Sequence, residues 1–238
     1  MFDRLNSYVS MHVPSPEIIT ENDYAKILES GEAGPVKHGY PAVIMHPDRS
    51  ITKLWAKKSG ILSSSRWKLY SARFIANAGK LASHGVNVPK IIRHQRINGS
   101  HVHLVRYTAL EGTSIRELLE TAPSEVDIPS LARYIHGLHE RGIFFRAIHL
   151  GNIIRMSDEK FGLIDFTDVK FSTKPLPFIR RAANIATPLR YREDVERIKQ
   201  AALPGLSDSY LEIMRDHNQP VDKNIFLNTI KKRMRGKS

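Results

Sequence analysis

Residues 145–152 read FRAIHLGN, and residues 163–166, which follow after a short polar turn, read LIDF. The first segment is a polar loop that ends in Asn152 just before an apolar β-prone run, and a second such run ends in Asp165. The two runs therefore predict a β-hairpin with both polar residues at the same end. Amide and carboxylate oxygens are hard ligands of the kind that Mg²⁺ prefers. We expect Asn152 and Asp165 to form a magnesium site.

A lysine on an earlier strand adds to this pattern. The apolar runs at residues 40–45 (YPAVIM) and 51–55 (ITKLW), separated by HPDRS, predict a second hairpin that carries Lys53 on its second strand. An isolated strand lysine more often only faces solvent. Together with Asn152 and Asp165, however, Lys53 completes the nucleotide-site parts of protein kinases. The sequence thus predicts that ATP and Mg²⁺ bind through Lys53, Asn152 and Asp165.

The order of the remaining elements predicts an α+β fold. Residues 62–84 show helical spacing of apolar side chains, and Asn98-Gly99 marks a turn between two β-prone runs. Residues 31–40 are predicted as a loop, and further helices are expected at 113–119, at 128–141 and in most of the chain after Phe166. A small β-rich N-terminal part with one helix is therefore followed by a mainly helical part that a hairpin interrupts.

Six segments resemble one known family, the Kdo and heptose kinases of the lipopolysaccharide core, in the branch labelled toluene-tolerance protein. The segments are ITKLW (51–55), LASHGVNVP (81–89), HLVRYTALEGTSIRELL (103–119), IHLGNII (148–154) with LIDFTDV (163–169), and LRYREDVERI (189–198). Their order and spacing carry the resemblance over about residues 35–200. It implies a two-lobed protein-kinase-like fold in one domain, 1–238, with a β-rich N-lobe over 30–110, a mainly helical C-lobe over 111–222 and a basic C-terminal tail over 223–238.

The resemblance also implies a function. It implies an ATP-dependent kinase that phosphorylates a Kdo or heptose sugar of a lipopolysaccharide core precursor. Such an enzyme is expected in the cytoplasm, peripheral to the inner face of the cytoplasmic membrane. The oligomeric state does not follow from the resemblance.

The catalytic loop departs from the kinase pattern His-Arg-Asp-x-x-x-x-Asn. Arg146 and Asn152 match it, but Ala147 stands at the position of the catalytic Asp and Phe145 at that of the His. Asp165-Phe166 is followed by Thr167 instead of Gly, the helix after Lys53 carries no acid, and a Gly-rich phosphate loop is missing. A pseudokinase that binds nucleotide without transferring phosphate therefore remains an alternative, as does a kinase for another small substrate.

Loss of the catalytic Asp is compatible with activity, because positioning and charge stabilisation dominate phosphoryl transfer. A general base contributes about 10²–10⁴-fold. His149 and Asp168 are the candidates to take over part of its role, and we assign Asp165 and His149 as the catalytic residues. The alternative for His149 is a structural, hydrogen-bonding role in the loop.

The net charge of +12 favours an anionic partner, which nucleic acid, anionic lipid or a phosphorylated substrate would each satisfy. No acidic residue occurs between Arg49 and Leu110. No helix-turn-helix, zinc or aromatic RNA-binding signature is apparent, so no nucleic-acid partner is expected.

The chain has no cysteine, which excludes disulfides and a thiol nucleophile. It also lacks an apolar run of about 18 residues, so no transmembrane helix is expected, and its N-terminus has no secretory signal pattern.

A second basic cluster lies in the C-terminal segment 224–237. Its apolar residues share one face at helical spacing: Phe226, Leu227, Ile230 and Met234. Its cations are Lys231, Lys232, Arg233, Arg235 and Lys237. The pattern predicts an amphipathic helix that docks on an anionic membrane surface. The alternative is that the apolar face packs against the helical part of the protein.

Overall fold

The computed structural model describes residues 13–56, 69–157 and 160–235. They divide into two compact units. The first consists of the described residues up to Gly85 together with Pro89–Ala109, and the second of Val86–Val88 and the described residues from Leu110 onwards. The first unit is rich in β-strands and the second is mainly helical. The predicted α+β class and this order of β-rich and helical parts are confirmed.

The first unit is built on a six-stranded sheet with the order β1-β7-β8-β6-β5-β2 and a separate two-stranded ribbon, β3-β4. Its strands are β1 (Glu17–Ile19), β2 (Glu32–Ala33), β3 (Val36–Lys37), β4 (Tyr40–Pro41), β5 (Val43–Met45), β6 (Ser50–Trp55), β7 (Ile91–Ile97) and β8 (His103–Thr108). Its helices are α1 (Glu21–Glu29) and α2 (Tyr70–Ser83). Strands β1 and β7 pair in parallel, and the other pairs are antiparallel.

Both hairpins predicted in this unit are present. Strands β5 and β6 pair with Val43 opposite Lys53, and β7 and β8 form an antiparallel pair. The turn between β7 and β8 contains Gly99 at φ 67°, a left-handed conformation that glycine adopts without strain. Along β6 the residues Ser50, Thr52 and Leu54 are buried and alternate with partly exposed neighbours. Lys53 therefore lies on the less buried face of the strand, as the pleat requires.

Three details of the first unit differ from the sequence predictions. Helix α2 begins at Tyr70, preceded by the non-helical Leu69, and residues 62–68 of the predicted helix lie outside the described residues. Residues 31–40 were predicted as a loop but contain β2, β3 and the start of β4. Strand β1 was not predicted, because three residues are too few for a periodic signal and its pairing with the distant β7 is a tertiary contact.

The second unit has a three-stranded sheet, β12-β11-β9, and a two-stranded ribbon, β10-β13. Its strands are β9 (Thr113–Ser114), β10 (Ile143–Phe145), β11 (Ile153–Arg155), β12 (Phe161–Leu163) and β13 (Val169–Phe171). Its helices are α3 (Ile115–Thr121), α4 (Ile128–Glu140), α5 (Phe178–Ile185), α6 (Arg192–Gln200), α7 (Leu206–Asp216) and α8 (Lys223–Arg235).

The hairpin predicted around residues 152–166 is present as the antiparallel pair β11-β12, although residues 158–159 of its turn lie outside the described residues. The expectation of helix throughout the chain after Phe166 is wrong at β13. This strand pairs with β10 and places Phe145 opposite Val169. The pairing joins the start of the 145–152 loop to the segment just after Asp165.

Helix α8 is amphipathic as predicted, but part of its apolar face is covered by the second unit. Phe226 is fully buried and its ring lies 5.6 Å from that of Phe178 on α5 and 5.8 Å from that of Tyr210 on α7. Ile230 is also buried, whereas Met234 is 40% exposed. At Phe226 and Ile230 the apolar face of α8 therefore packs against the second unit, which was the alternative to membrane docking. Within the described residues, no helix is both long and apolar enough to cross a membrane.

Candidate functional site

The loop between β10 and β11 is held by hydrogen bonds within itself. The backbone N–H of His149 donates to the carbonyl oxygen of Ala147 at 2.8 Å, and that of Asn152 donates to the carbonyl of His149 at 2.8 Å. Leu150–Asn152 form a short 3-10 turn in which Leu150 and Asn152 are buried. These hydrogen bonds fix the backbone of the loop and place Asn152 directly before β11.

Asn152 links the loop to the segment of Asp165. Its side-chain Nδ2 donates to the carbonyl oxygen of Ala147 at 3.0 Å, so the side-chain oxygen remains as an acceptor. Its own carbonyl oxygen accepts a hydrogen bond from the N–H of Ile164 at 3.0 Å. Asp165 is the next residue. The structure thus brings Asn152 and Asp165 to the same end of the β11-β12 hairpin.

Asp165 has an unusual backbone conformation. It is exposed and left-handed, with φ 52° and ψ 40°, while the following Phe166 is fully buried. Asp tolerates this region better than most residues, but the conformation still disfavours an L-residue by about 1–2 kcal/mol. Such local strain is concentrated at functional sites. Here it turns the chain out of β12 so that Phe166 enters the core while Asp165 stays accessible.

The donor set at this end of the hairpin fits magnesium. The described residues include no group of three or more His, Cys, Asp or Glu side chains that could hold a metal ion. Mg²⁺ bound with a nucleotide needs only one or two protein oxygens, because phosphate and water supply the other ligands. The side-chain oxygen of Asn152 and the carboxylate of Asp165 have the required chemistry.

Lys53 lies in the first unit, between the strands that carry Val43 and Val105. Its Nζ is 5.6 Å from the ring centroid of Trp55 and 5.8 Å from that of Phe74 on α2. Both distances suit a cation–π interaction. Helix α2 contains no acidic residue, as the sequence indicated. Aromatic rings of its own unit therefore flank the lysine ammonium.

His149 lies close to Tyr191, the residue before α6. The two rings are 5.1 Å apart. The guanidinium of Arg116 on α3 lies 4.5 Å from the ring of Tyr191. Burial and, to a smaller extent, the charge of Arg116 lower the pKa of His149 below 6.5, although Asp165 and Asp194 oppose the shift. The imidazole is therefore neutral at pH 7.

An ion pair near His149 was not predicted from the sequence. Arg116 on α3 and the buried Asp194 on α6 form a bidentate pair, with Nε to Oδ1 at 2.9 Å and Nη2 to Oδ2 at 2.7 Å. Both residues occur in segments that carry the family resemblance. Their pairing across a long stretch of sequence gave no local signal, because a planar Arg–carboxylate fork depends on how two helices pack.

A cavity of about 340 Å³ opens beside the loop, and both Ala147 and Asp168 line it. The backbone N–H of Arg146 donates to the carbonyl oxygen of Asp168 at 3.0 Å, which fixes the two segments side by side. Asp168 is exposed, whereas His149 is not among the lining residues. Of the two residues proposed to replace the catalytic Asp, only Asp168 shares a cavity with position 147.

A buried chain of hydrogen bonds anchors the start of the loop. Asn184 on α5 donates through Nδ2 to the carbonyl oxygen of Phe145 at 2.8 Å, and its Oδ1 lies 3.0 Å from Nε2 of His139. The other ring nitrogen of His139 lies 2.6 Å from the Tyr210 hydroxyl. Because Asn184 Oδ1 accepts, His139 carries its proton on Nε2 and accepts from Tyr210. Burial lowers the pKa of His139 to about 3, so the ring stays neutral.

Many solved structures are similar to this chain, and WbdD is one of them. No family model matches the chain, and no curated protein matches it. Among solved structures, the 2.2 Å crystal structure of WbdD superposes with a TM-score of 0.46 and 17% sequence identity over 80% of this chain. The chain spans 42% of the length of that protein.

Proposed function

We propose that this protein is an ATP-dependent phosphotransferase with a protein-kinase-like fold that phosphorylates an alcohol group. The observation that carries the proposal is the meeting of Asn152 and Asp165 at one end of the β11-β12 hairpin. The strained backbone of the accessible Asp165 adds support. In this proposal Lys53 binds the nucleotide phosphates, and Asn152 and Asp165 supply the protein ligands of the magnesium ion.

The cavity next to the loop is the proposed place for the acceptor hydroxyl. Asp168 lines it together with Ala147, and in this proposal its carboxylate accepts the proton of the hydroxyl. The chemistry that magnesium supplies when bound is neutralisation of charge on the phosphate oxygens. In the proposal His149 is a positioning residue for the loop, because its ring is packed against Tyr191.

The acceptor proposed from the sequence resemblance is a Kdo or heptose sugar of a lipopolysaccharide core precursor. This part rests on the six segments that resemble the core kinases. The precursor is made at the inner face of the cytoplasmic membrane, so the proposal includes a cytoplasmic location with peripheral attachment to that face.

The nucleotide site is tested by thermal unfolding with ATP, with and without magnesium. A ligand at 100 times its Kd stabilises the folded state by about 2.7 kcal/mol. We expect the magnesium-dependent part of this stabilisation in the wild type and its loss in Asp165→Asn. The matched control is Asp216→Asn, which removes an exposed carboxylate at the end of α7. Equal magnesium-dependent shifts in the wild type and Asp165→Asn would contradict the site.

A pseudokinase is the second candidate, and Ala147 in the wall of the cavity favours it. The two candidates differ in transfer of labelled phosphate from ATP to purified core oligosaccharide. We expect slow transfer by the wild type and faster transfer by Ala147→Asp. Magnesium-dependent ATP binding without transfer by either form would establish the pseudokinase.

A further inference from the structure

The cavity beside the loop is strongly basic. Five cationic side chains line it against one carboxylate, that of Asp168. The cations are Arg146, Lys170, Arg180, Arg190 and Arg233. They come from five separate segments of the second unit: the loop, β13, α5, the 3-10 turn of Pro188–Arg190, and α8. The five cations therefore come together only in the tertiary fold. We call this cavity the basic cavity.

The five cations have no acidic partner in the part of the chain that the structure describes: none of them forms an ion pair with an acidic side chain there. Ion pairs do occur elsewhere in the same unit, where Arg116, Arg181 and Arg197 each have a carboxylate partner. Like charges that converge on one cavity repel one another, and a bound anion relieves this repulsion.

Several of the cations are also held in place. The guanidinium of Arg180 lies 5.7 Å from the ring centroid of Phe144, which itself lines the cavity. Arg190 is half-buried and donates through Nη2 to the carbonyl oxygen of Arg233 at 3.4 Å. The Nε of Arg190 is buried and has no hydrogen-bond partner among the described residues. A buried N–H without a partner destabilises the folded protein, and a hydrogen bond to a ligand oxygen would remove this cost.

We propose that the basic cavity binds a phosphate or pyrophosphate group carried by the acceptor substrate. Arginine forks match the geometry of phosphate oxygens and bind them with two hydrogen bonds each. A volume of about 340 Å³ is at the small end of ligand sites, which suits a phosphorylated sugar unit. This inference rests on the proposed function, since it assigns the acceptor of the same reaction as an anionic molecule already bearing phosphate.

The position of the cavity explains what the bound phosphate would do. Arg146, Ala147 and Asp168 belong both to the basic cavity and to the proposed transfer site. A phosphate held by Arg180, Arg190 and Arg233 would fix a neighbouring hydroxyl of the same sugar near Asp168. Arg180 and Arg233 are thus proposed as specificity-determining residues, and Arg233 gives the basic end of α8 a role inside the protein.

The test measures pyrophosphate binding by isothermal titration without nucleotide or magnesium. Arg180→Gln and Arg233→Gln remove exposed cations of the cavity and leave the core intact. Lys232→Gln on the same helix and Arg192→Gln on α6 make a similar charge change outside the cavity. We expect the first two to weaken binding at least tenfold each, about 1.4 kcal/mol, and the controls by less than twofold.

Three results would overturn the proposal. They are absence of pyrophosphate binding in the wild type, equal weakening in all four variants, and loss of binding in Lys53→Gln with retention in Arg180→Gln and Arg233→Gln. The last result would place the anion in the nucleotide site. The test is separate from that of the proposed function, because Asp165→Asn abolishes magnesium-dependent ATP binding and leaves pyrophosphate binding unchanged if both proposals hold.

A competition arm distinguishes two sources of the phosphate. Phosphatidylcholine vesicles with and without phosphatidate are added to the protein saturated with pyrophosphate. Displacement by the phosphatidate vesicles alone supports the cavity as a site for a lipid-borne phosphate. Retention of pyrophosphate in their presence supports the same cavity as a site for the phosphate of a water-soluble sugar.

Discussion

Replacing Asn184 with Ala tests how the core of the helical unit supports the loop. The Asn184 side chain connects the carbonyl of Phe145, the last residue of β10 before the loop, to the ring of His139. All three residues are buried. The substitution therefore leaves the ring N–H of His139 without a partner in a place that water does not reach, while the carbonyl oxygen of Phe145 keeps one hydrogen bond, from the backbone N–H of Ile148 at 3.2 Å.

The size of the effect follows from one orphaned group and one lost hydrogen bond. A buried polar group that loses its only partner, as the ring N–H of His139 does, costs about 1–3 kcal/mol. The hydrogen bond lost by the carbonyl of Phe145 costs about 0.5–1.5 kcal/mol, and the small cavity left by the amide adds to this. Domains of ordinary stability unfold with only about 5–15 kcal/mol. We therefore expect Asn184→Ala to lower the urea midpoint markedly while the dependence of the unfolding free energy on urea stays the same.

The assay is equilibrium urea unfolding at pH 7, followed by circular dichroism. The control is Asn228→Ala, an exposed position on α8, which should change the free energy of unfolding by no more than about 0.5 kcal/mol. A loss for Asn184→Ala that is no larger than that of the control would contradict this expectation. It would mean that the loop is not anchored through this chain of hydrogen bonds.

Three further predictions concern pH, a glycine and the surface of α8. Because burial lowers the pKa of His139 to about 3, the unfolded chain takes up a proton below pH 6.5 that the folded chain refuses. Urea unfolding at pH 7 and pH 5 should therefore show a stability loss of up to about 1.4 kcal/mol per pH unit, with a smaller loss in His139→Gln. Gly112 has φ 137° and faces a backbone carbonyl of β11, so Gly112→Ala should destabilise more than Gly99→Ala, whose added methyl meets open space; equal urea midpoints would contradict this. Lys231 and Lys232 are exposed on α8, and their joint replacement by Gln should weaken sedimentation with anionic vesicles at low salt about tenfold or more, whereas unchanged binding would move the proposed membrane contact elsewhere.

Local patterns in the sequence predicted several elements of each unit, although not β1 or β13. Alternation of apolar residues predicted the β5-β6 and β11-β12 hairpins, and Asn98-Gly99 predicted the turn between β7 and β8. It also placed Asn152 and Asp165 at the same end of their hairpin. These features depend on side-chain period and turn chemistry over a few residues, so a single sequence contains them. The ATP and metal roles of these residues remain predictions.

Which distant residues share a site depends on the tertiary structure. The pairing of β10 with β13 brings Ala147 and Asp168 to one cavity, and this strand lay where the sequence favoured helix. The Arg116–Asp194 pair and the chain from His139 through Asn184 to the loop cross between helices far apart in sequence. The five cations of the basic cavity likewise converge only when α5, α8 and the β10-β13 ribbon pack together. Such contacts are set by helix packing and strand pairing over long sequence separations, which leave no periodic pattern in the chain itself.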